Sequence, residues 1–167
     1  VVREEEQPAL CINCSFERGE GAAAMHGRCA QFNRAQLAAI ALANIHARQD
    51  AASCRKYVAN PDWGAMLKDT QAAIDELKKD GPVAIIGFCM GGTIAFLAAC
   101  KLNGLSAAIC YYGGQIAKNA DEKPKVSVQM HFGEKAASIP MTDVEVIKQK
   151  RGGDSEIFVY PDSQHGF

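Results

Sequence analysis

From about Asp62 onward, apolar and polar positions alternate in two distinct periods. In "DWGAMLKDTQAAIDELKKDG" the apolar residues Ala65, Met66, Ala73, Ile74 and Leu77 recur at helical spacing with charges between them, and Gly81 supplies a stop. The segment predicts an amphipathic helix. "PVAIIGF" is a short continuous apolar run of the kind found in a strand covered on both faces. "GGTIAFLAACKLNG" follows as a mostly buried helix closed by Asn103 and Gly104. "SAAICYYGG", "KVSVQMHFG" and "SEIFVYP" predict three further strands, with "IPMTDVEVIKQKRGG" as the helix between the last two. Strands separated by helices point to βαβ units, an α/β class and a largely parallel sheet.

Residues 1–60 have a different character: they are rich in Ala and Arg, hold four of the seven cysteines and show no strand of convincing length. "NRAQLAAIALANIHARQD" has the propensity for a helix, but nothing in the segment supplies the early strands of a parallel sheet. The chain therefore divides into an uncertain Ala/Arg/Cys-rich segment, 1–60, and an α/β domain, 61–167.

Composition fits a single globular domain: 167 residues, 48% hydrophobic and 22% charged. Eighteen basic against nineteen acidic residues leave a net charge of −1, so no long-range field favours nucleic acid or anionic lipid. No apolar run reaches the roughly 18 residues needed to span a bilayer, and the N-terminal "VVREEEQPAL" carries acids where a secretory signal carries bases. The chain reads as cytosolic. Seven cysteines without an export signal then indicate reduced thiols rather than a disulfide framework.

One cysteine has a setting of its own. In "GFCMGG" a predicted strand ends at Cys89 and a helix begins at once, with Gly87, Gly91 and Gly92 allowing close approach. This is the pattern of a nucleophile elbow. The new helix would lower the pKa of the thiol through its positive end, and the backbone N–H of Met90 would face a developing oxyanion. A buried core thiol beside a glycine turn is the competing reading. A thiol nucleophile needs a base, and His165 in "VYPDSQHGF" follows the last predicted strand, in the order nucleophile first and histidine last. His131 belongs to a strand, while His26 and His46 fall in the uncertain segment.

With "GFCMGG", "HFGEKAASIP" and "VYPDSQHGF" in this order, the chain resembles the dienelactone hydrolases (carboxymethylenebutenolidases) over roughly Asp62 to Phe167. The resemblance implies an α/β-hydrolase fold, a Cys-His-Asp triad, lactone or ester substrates, and no metal or cofactor. It places the nucleophile on Cys89, the base on His165 and an oxyanion donor on Met90, with a thioester acyl-enzyme between them. Three departures follow from it. Ala136 stands where the family's "GEKD" carries the triad aspartate, leaving Glu134 and Asp162 as the nearest substitutes. The N-terminal strands with their glutamate and first oxyanion donor are not found, so Arg18, Arg28, Arg34 and Arg55 receive no role. The chain also stops where relatives continue into a final helix, which suggests a partial α/β-hydrolase from a truncated or frame-disturbed gene.

Two other readings compete with an active hydrolase. Cys11-x-x-Cys14 and His26-x-x-Cys29 have spacings that a tetrahedral zinc site uses, which would make the N-terminal segment a small binding module. Alternatively the chain is a catalytically impaired fragment or an interaction protein that keeps the fold alone. Oligomeric state and the particular ester or lactone are not fixed by the sequence.

Overall fold

The computed structural model of the chain describes residues 61–167. Its element order is α1 (Trp63–Leu77), β1 (Val83–Phe88), α2 (Met90–Lys101), β2 (Leu105–Tyr111), a 3₁₀ turn (Ala117–Asn119), β3 (Ser127–Gly133), α3 (Met141–Arg151) and β4 (Glu156–Tyr160). The four strands form one parallel sheet in the order β1-β2-β3-β4. Every strand and helix expected after Asp62 is present, and the α/β class holds. The zinc-type residues Cys11, Cys14, His26 and Cys29 lie outside the described residues.

The connection from β2 to β3, for which the sequence names no helix, carries a 3₁₀ turn. One expectation is corrected. Strand β1 is not evenly covered on both faces. Val83, Ile85 and Gly87 are buried, whereas Ala84 is exposed and Ile86 and Phe88 are half-buried. The difference arises because α2 packs its whole length against one face of the sheet. Gly91 to Cys100 are buried without interruption, as expected of a helix that is apolar all round.

The core lies between α2, α3 and the sheet, with Phe96, Met130, Phe132 and Ile147 all fully buried. Helix α1 is started by Asp62, whose carboxylate accepts the N–H of Ala65 at 2.9 Å, and it buries Ile74 and Thr70. The Thr70 hydroxyl is satisfied within its own helix by the Met66 carbonyl at 2.7 Å. Gln71 ties α1 to the end of α2 by a reciprocal pair with the Asn103 backbone, both bonds at 3.0 Å.

On the other face, register aligns Phe88, Tyr111, His131 and Phe158 in one row across all four strands. Their rings stack, with centroids 5.0, 4.4 and 5.0 Å apart and planes within 22° of parallel. This is cross-strand pairing carried across a whole sheet. Among the described residues, no helix is long and apolar enough to cross a membrane.

Candidate active site

The site lies at the carboxyl ends of the strands, where parallel α/β sheets commonly bind ligands. Cys89 follows β1 directly and caps α2 with φ 53° and ψ −119°, a strained conformation for a residue with a side chain. Its N–H donates to Tyr111 O at 3.0 Å, continuing the ladder one residue beyond the strand, and its carbonyl accepts the first helical bonds from Gly92 and Thr93. Glycine is required on both sides of this turn. A Cβ at Gly87 would lie 1.9 Å from Gly91 O, and one at Gly92 would lie 2.3 Å from Tyr111 O. The close approach thus depends on Gly87 and Gly92, with Gly91 contributing the carbonyl that Gly87 must clear.

Among the described residues β1 and β4 are the outermost strands of the sheet, roughly 14 Å apart at the usual strand spacing. His165 nevertheless reaches Cys89, because the loop after β4 turns back over the strand ends. Over β3 it passes so near Gly133 that a Cβ there would lie 2.5 Å from the carbonyl oxygens of both Ser163 and Gln164. Over β2 the His165 ring meets the edge of buried Tyr112, with centroids 4.8 Å apart. At β1 its Nε2 comes within 3.2 Å of Cys89 Sγ. Phe167 packs on Tyr160 and Tyr112, at 4.8 and 5.6 Å between ring centroids, and fastens the returning loop.

Cys89 is half-buried and His165 exposed, so the pair is open to solvent along a cleft of about 660 Å³. Met90, Thr93, Trp63, Gln115 and Lys118 contribute to its walls. Met90 is the first residue of α2, where backbone N–H groups have no acceptor inside the helix. Cys89, His165 and Met90, singled out from sequence, therefore converge on one cleft.

The substitutes considered for the acid have another use. Glu134 accepts the N–H of Asp162 at 3.2 Å, and Asp162 pairs with Lys135 at 2.5 Å, so both fasten the loop after β3 to the loop after β4. Ala136 is buried in the core. The side chain beside the distal nitrogen of His165 is Ser138, with Oγ 3.2 Å from Nδ1. Sequence reasoning missed Ser138, Gly133 and Phe167. The three motifs contain all of these, but no local pattern marks a residue whose role depends on a loop crossing from the last described strand.

The remaining described cysteines have different surroundings. Burial, reinforced by nearby Glu122, pushes the Cys100 thiol up to about 11, and complete burial pushes Cys110 higher still. Neither can compete as a nucleophile near neutrality.

The described residues thus bring together an elbow holding a thiol, a histidine returning from the last strand and an open cleft. Comparison with known sequences gives the lineage: the family model described as "Dienelactone hydrolase family" matches residues 21–167. The chain belongs to the dienelactone hydrolase family. The family's pattern begins at residue 21 and so extends into the segment that carries none of the three motifs.

A carboxymethylenebutenolidase of Pseudomonas putida is 28% identical over 114 residues, 64% of this chain and 48% of the relative. A Synechocystis chain provisionally given the same name is 37% identical over 120 residues, 61% of this chain and 48% of its own length. This family member thus spans about half the length of those relatives. Among solved structures, one provisionally described as a dienelactone hydrolase from Klebsiella pneumoniae superposes with TM-score 0.60 and 27% identity, covering 71% of this chain and 57% of that one. The α/β-hydrolase architecture of the dienelactone hydrolases is the fold seen here.

Proposed function

We propose that the protein hydrolyses carboxylic ester or lactone bonds of small molecules through a thioester on Cys89, with His165 as general base and acid. The 3.2 Å approach of His165 Nε2 to Cys89 Sγ carries this reading. His165 takes the thiol proton, and the thiolate attacks the substrate carbonyl carbon. The resulting oxyanion lies against the Met90 N–H at the start of α2. Collapse breaks the bond to the leaving oxygen, which receives the proton from His165 and departs as the alcohol or, for a lactone, as the free end of the opened ring. Water, deprotonated by His165, then attacks the thioester. Sulfur leaves, and the carboxylic acid and the free thiol are restored. No cofactor is required by these steps.

The test is intact mass with peptide mapping after brief exposure to an activated aryl ester near neutral pH. An acyl adduct is expected on Cys89, absent in Cys89→Ala and strongly slowed in His165→Ala. Cys100 and Cys110 should remain unlabelled, given their burial and raised thiol pKa values. A protein that stays unlabelled, or labels evenly over several cysteines, would instead fit a family fragment that keeps the fold without turnover.

A further inference from the structure

We infer that Ser138 is the third member of this constellation, a positioning residue whose hydroxyl accepts the Nδ1–H of His165 and turns the ring so that Nε2 faces the Cys89 thiol. The inference rests on the Cys89–His165 reading above and adds a role that the three sequence motifs assign to a carboxylate at position 136.

Three observations support it. The first is the geometry, with Ser138 Oγ 3.2 Å from Nδ1 and Cys89 Sγ 3.2 Å from Nε2, so that the imidazole is engaged at both nitrogens in one line of groups. The second is the mounting of Ser138. It is an exposed side chain, yet its neighbours in sequence are fixed: Ala136 and Ile139 are buried at 3% and 2% exposure, and the turn is closed by Ala136 N to Gly133 O at 3.2 Å and Ile139 N to Ala136 O at 3.0 Å. The turn therefore fixes where the Ser138 Cα sits, so that one side-chain rotamer brings the hydroxyl to His165.

The third is that the loop bearing Ser138 and the loop bearing His165 are joined directly. Glu134 N donates to Tyr160 O at 3.0 Å, Lys135 N donates to Ser163 O at 2.8 Å, and the Asp162 N–H donates to the Glu134 carboxylate at 3.2 Å. Movement of one loop carries the other with it. The backbones that carry Ser138 and His165 are therefore held in register, although both side chains are exposed.

A hydroxyl differs from a carboxylate in two ways that matter here. It is neutral, so it favours the imidazolium less than a carboxylate would when the thiol proton arrives on Nε2. It can also donate as well as accept, so it fixes the ring orientation more firmly than the tautomer. Ser138 thus supports the proton transfer at the strength of a neutral hydrogen bond.

The experiment follows Cys89 alkylation by iodoacetamide from pH 5 to 10, read by peptide mass, with thermal unfolding measured on each variant; it requires no turnover. Ser138→Ala should slow alkylation near pH 7 by roughly 2- to 12-fold, the range set by one neutral hydrogen bond, with unchanged melting temperature. Ser138→Thr should restore the rate because it keeps the hydroxyl. Ser138→Asp should move the rise in alkylation lower by about one pH unit, because a carboxylate beside Nδ1 stabilises the thiolate–imidazolium pair.

Wild-type rates and pH profile in both Ser138→Ala and Ser138→Asp, alongside a slowed His165→Ala, would overturn the role of Ser138 and leave the Cys89–His165 pair intact. If His165→Ala alkylates like the wild type, the pair itself fails and Ser138 with it.

Discussion

Replacing Gly133 by alanine should separate the position of the base from the stability of the fold. The new methyl would lie 2.5 Å from two carbonyl oxygens, those of Ser163 and Gln164, and 2.9 Å from the Ser163 carbonyl carbon. Ordinary contact, which begins near 3.4 Å, requires the returning loop to lift by about 0.9 Å, and the backbone bond from Lys135 N to Ser163 O weakens with it. His165 directly follows Gln164, so the lift stretches the 3.2 Å contact with Cys89 toward about 4 Å, outside useful hydrogen-bond range. A misplacement of this order costs roughly 10²-fold in rate.

Stability should suffer much less, because the loop lies at the surface and yields without disturbing Phe132 or Met130 beneath it. About 1 kcal/mol, the low end for an overpacked site, corresponds to a melting temperature lowered by about 2–4 °C. The assays are kcat/KM on an activated aryl ester and thermal unfolding. Full activity in Gly133→Ala would refute the claim that this glycine sets the position of His165. Activity lost together with a collapse of the melting temperature would show that the loop supports the core as well.

Gly87→Ala should lose both properties. Its methyl meets Gly91 O at 1.9 Å between two buried elements that cannot yield cheaply, so about 1–3 kcal/mol of stability and most of the Cys89 reactivity should go together, measured by urea unfolding and alkylation rate. His131 gives the pH dependence of folding. Burial in the ring stack holds its imidazole below the ordinary 6.5, despite the opposing influence of Glu156. The unfolded chain therefore binds more protons below about pH 6.5, and this share of the stability, complete above that pH, is lost as pH falls through the lowered folded value. His131→Phe keeps a ring in the stack and should flatten the decline of melting temperature between pH 7 and 5; an unchanged slope would assign that decline to other groups.

The local elements of this protein were legible because each is written in contiguous residues. The helical spacing from Met66 to Leu77, the apolar runs of the four strands and the glycines around Cys89 each act over a few positions, where period and steric need leave few alternatives. The even covering expected for β1 was not decided locally, since burial of Ile86 and Phe88 depends on what packs over that face. Cys89 and His165 could be paired in advance only through chain order and resemblance, because 76 positions separate them.

Their physical contact depends on the sheet order, which puts them on the first and last of the four described strands, and on a loop that crosses β3 and β2 to close the distance. Ser138, 27 positions from His165, was hidden for the same reason: its neighbour in space is set by two loops zipped together at the strand ends. The sequence by itself determined the elements, the elbow and the candidate pair through local periodicity and backbone sterics. Only the tertiary structure decided that Glu134 and Asp162 fasten loops, that Ala136 fills the core and that a serine stands beside the histidine, because those outcomes depend on distances between segments that no local pattern encodes.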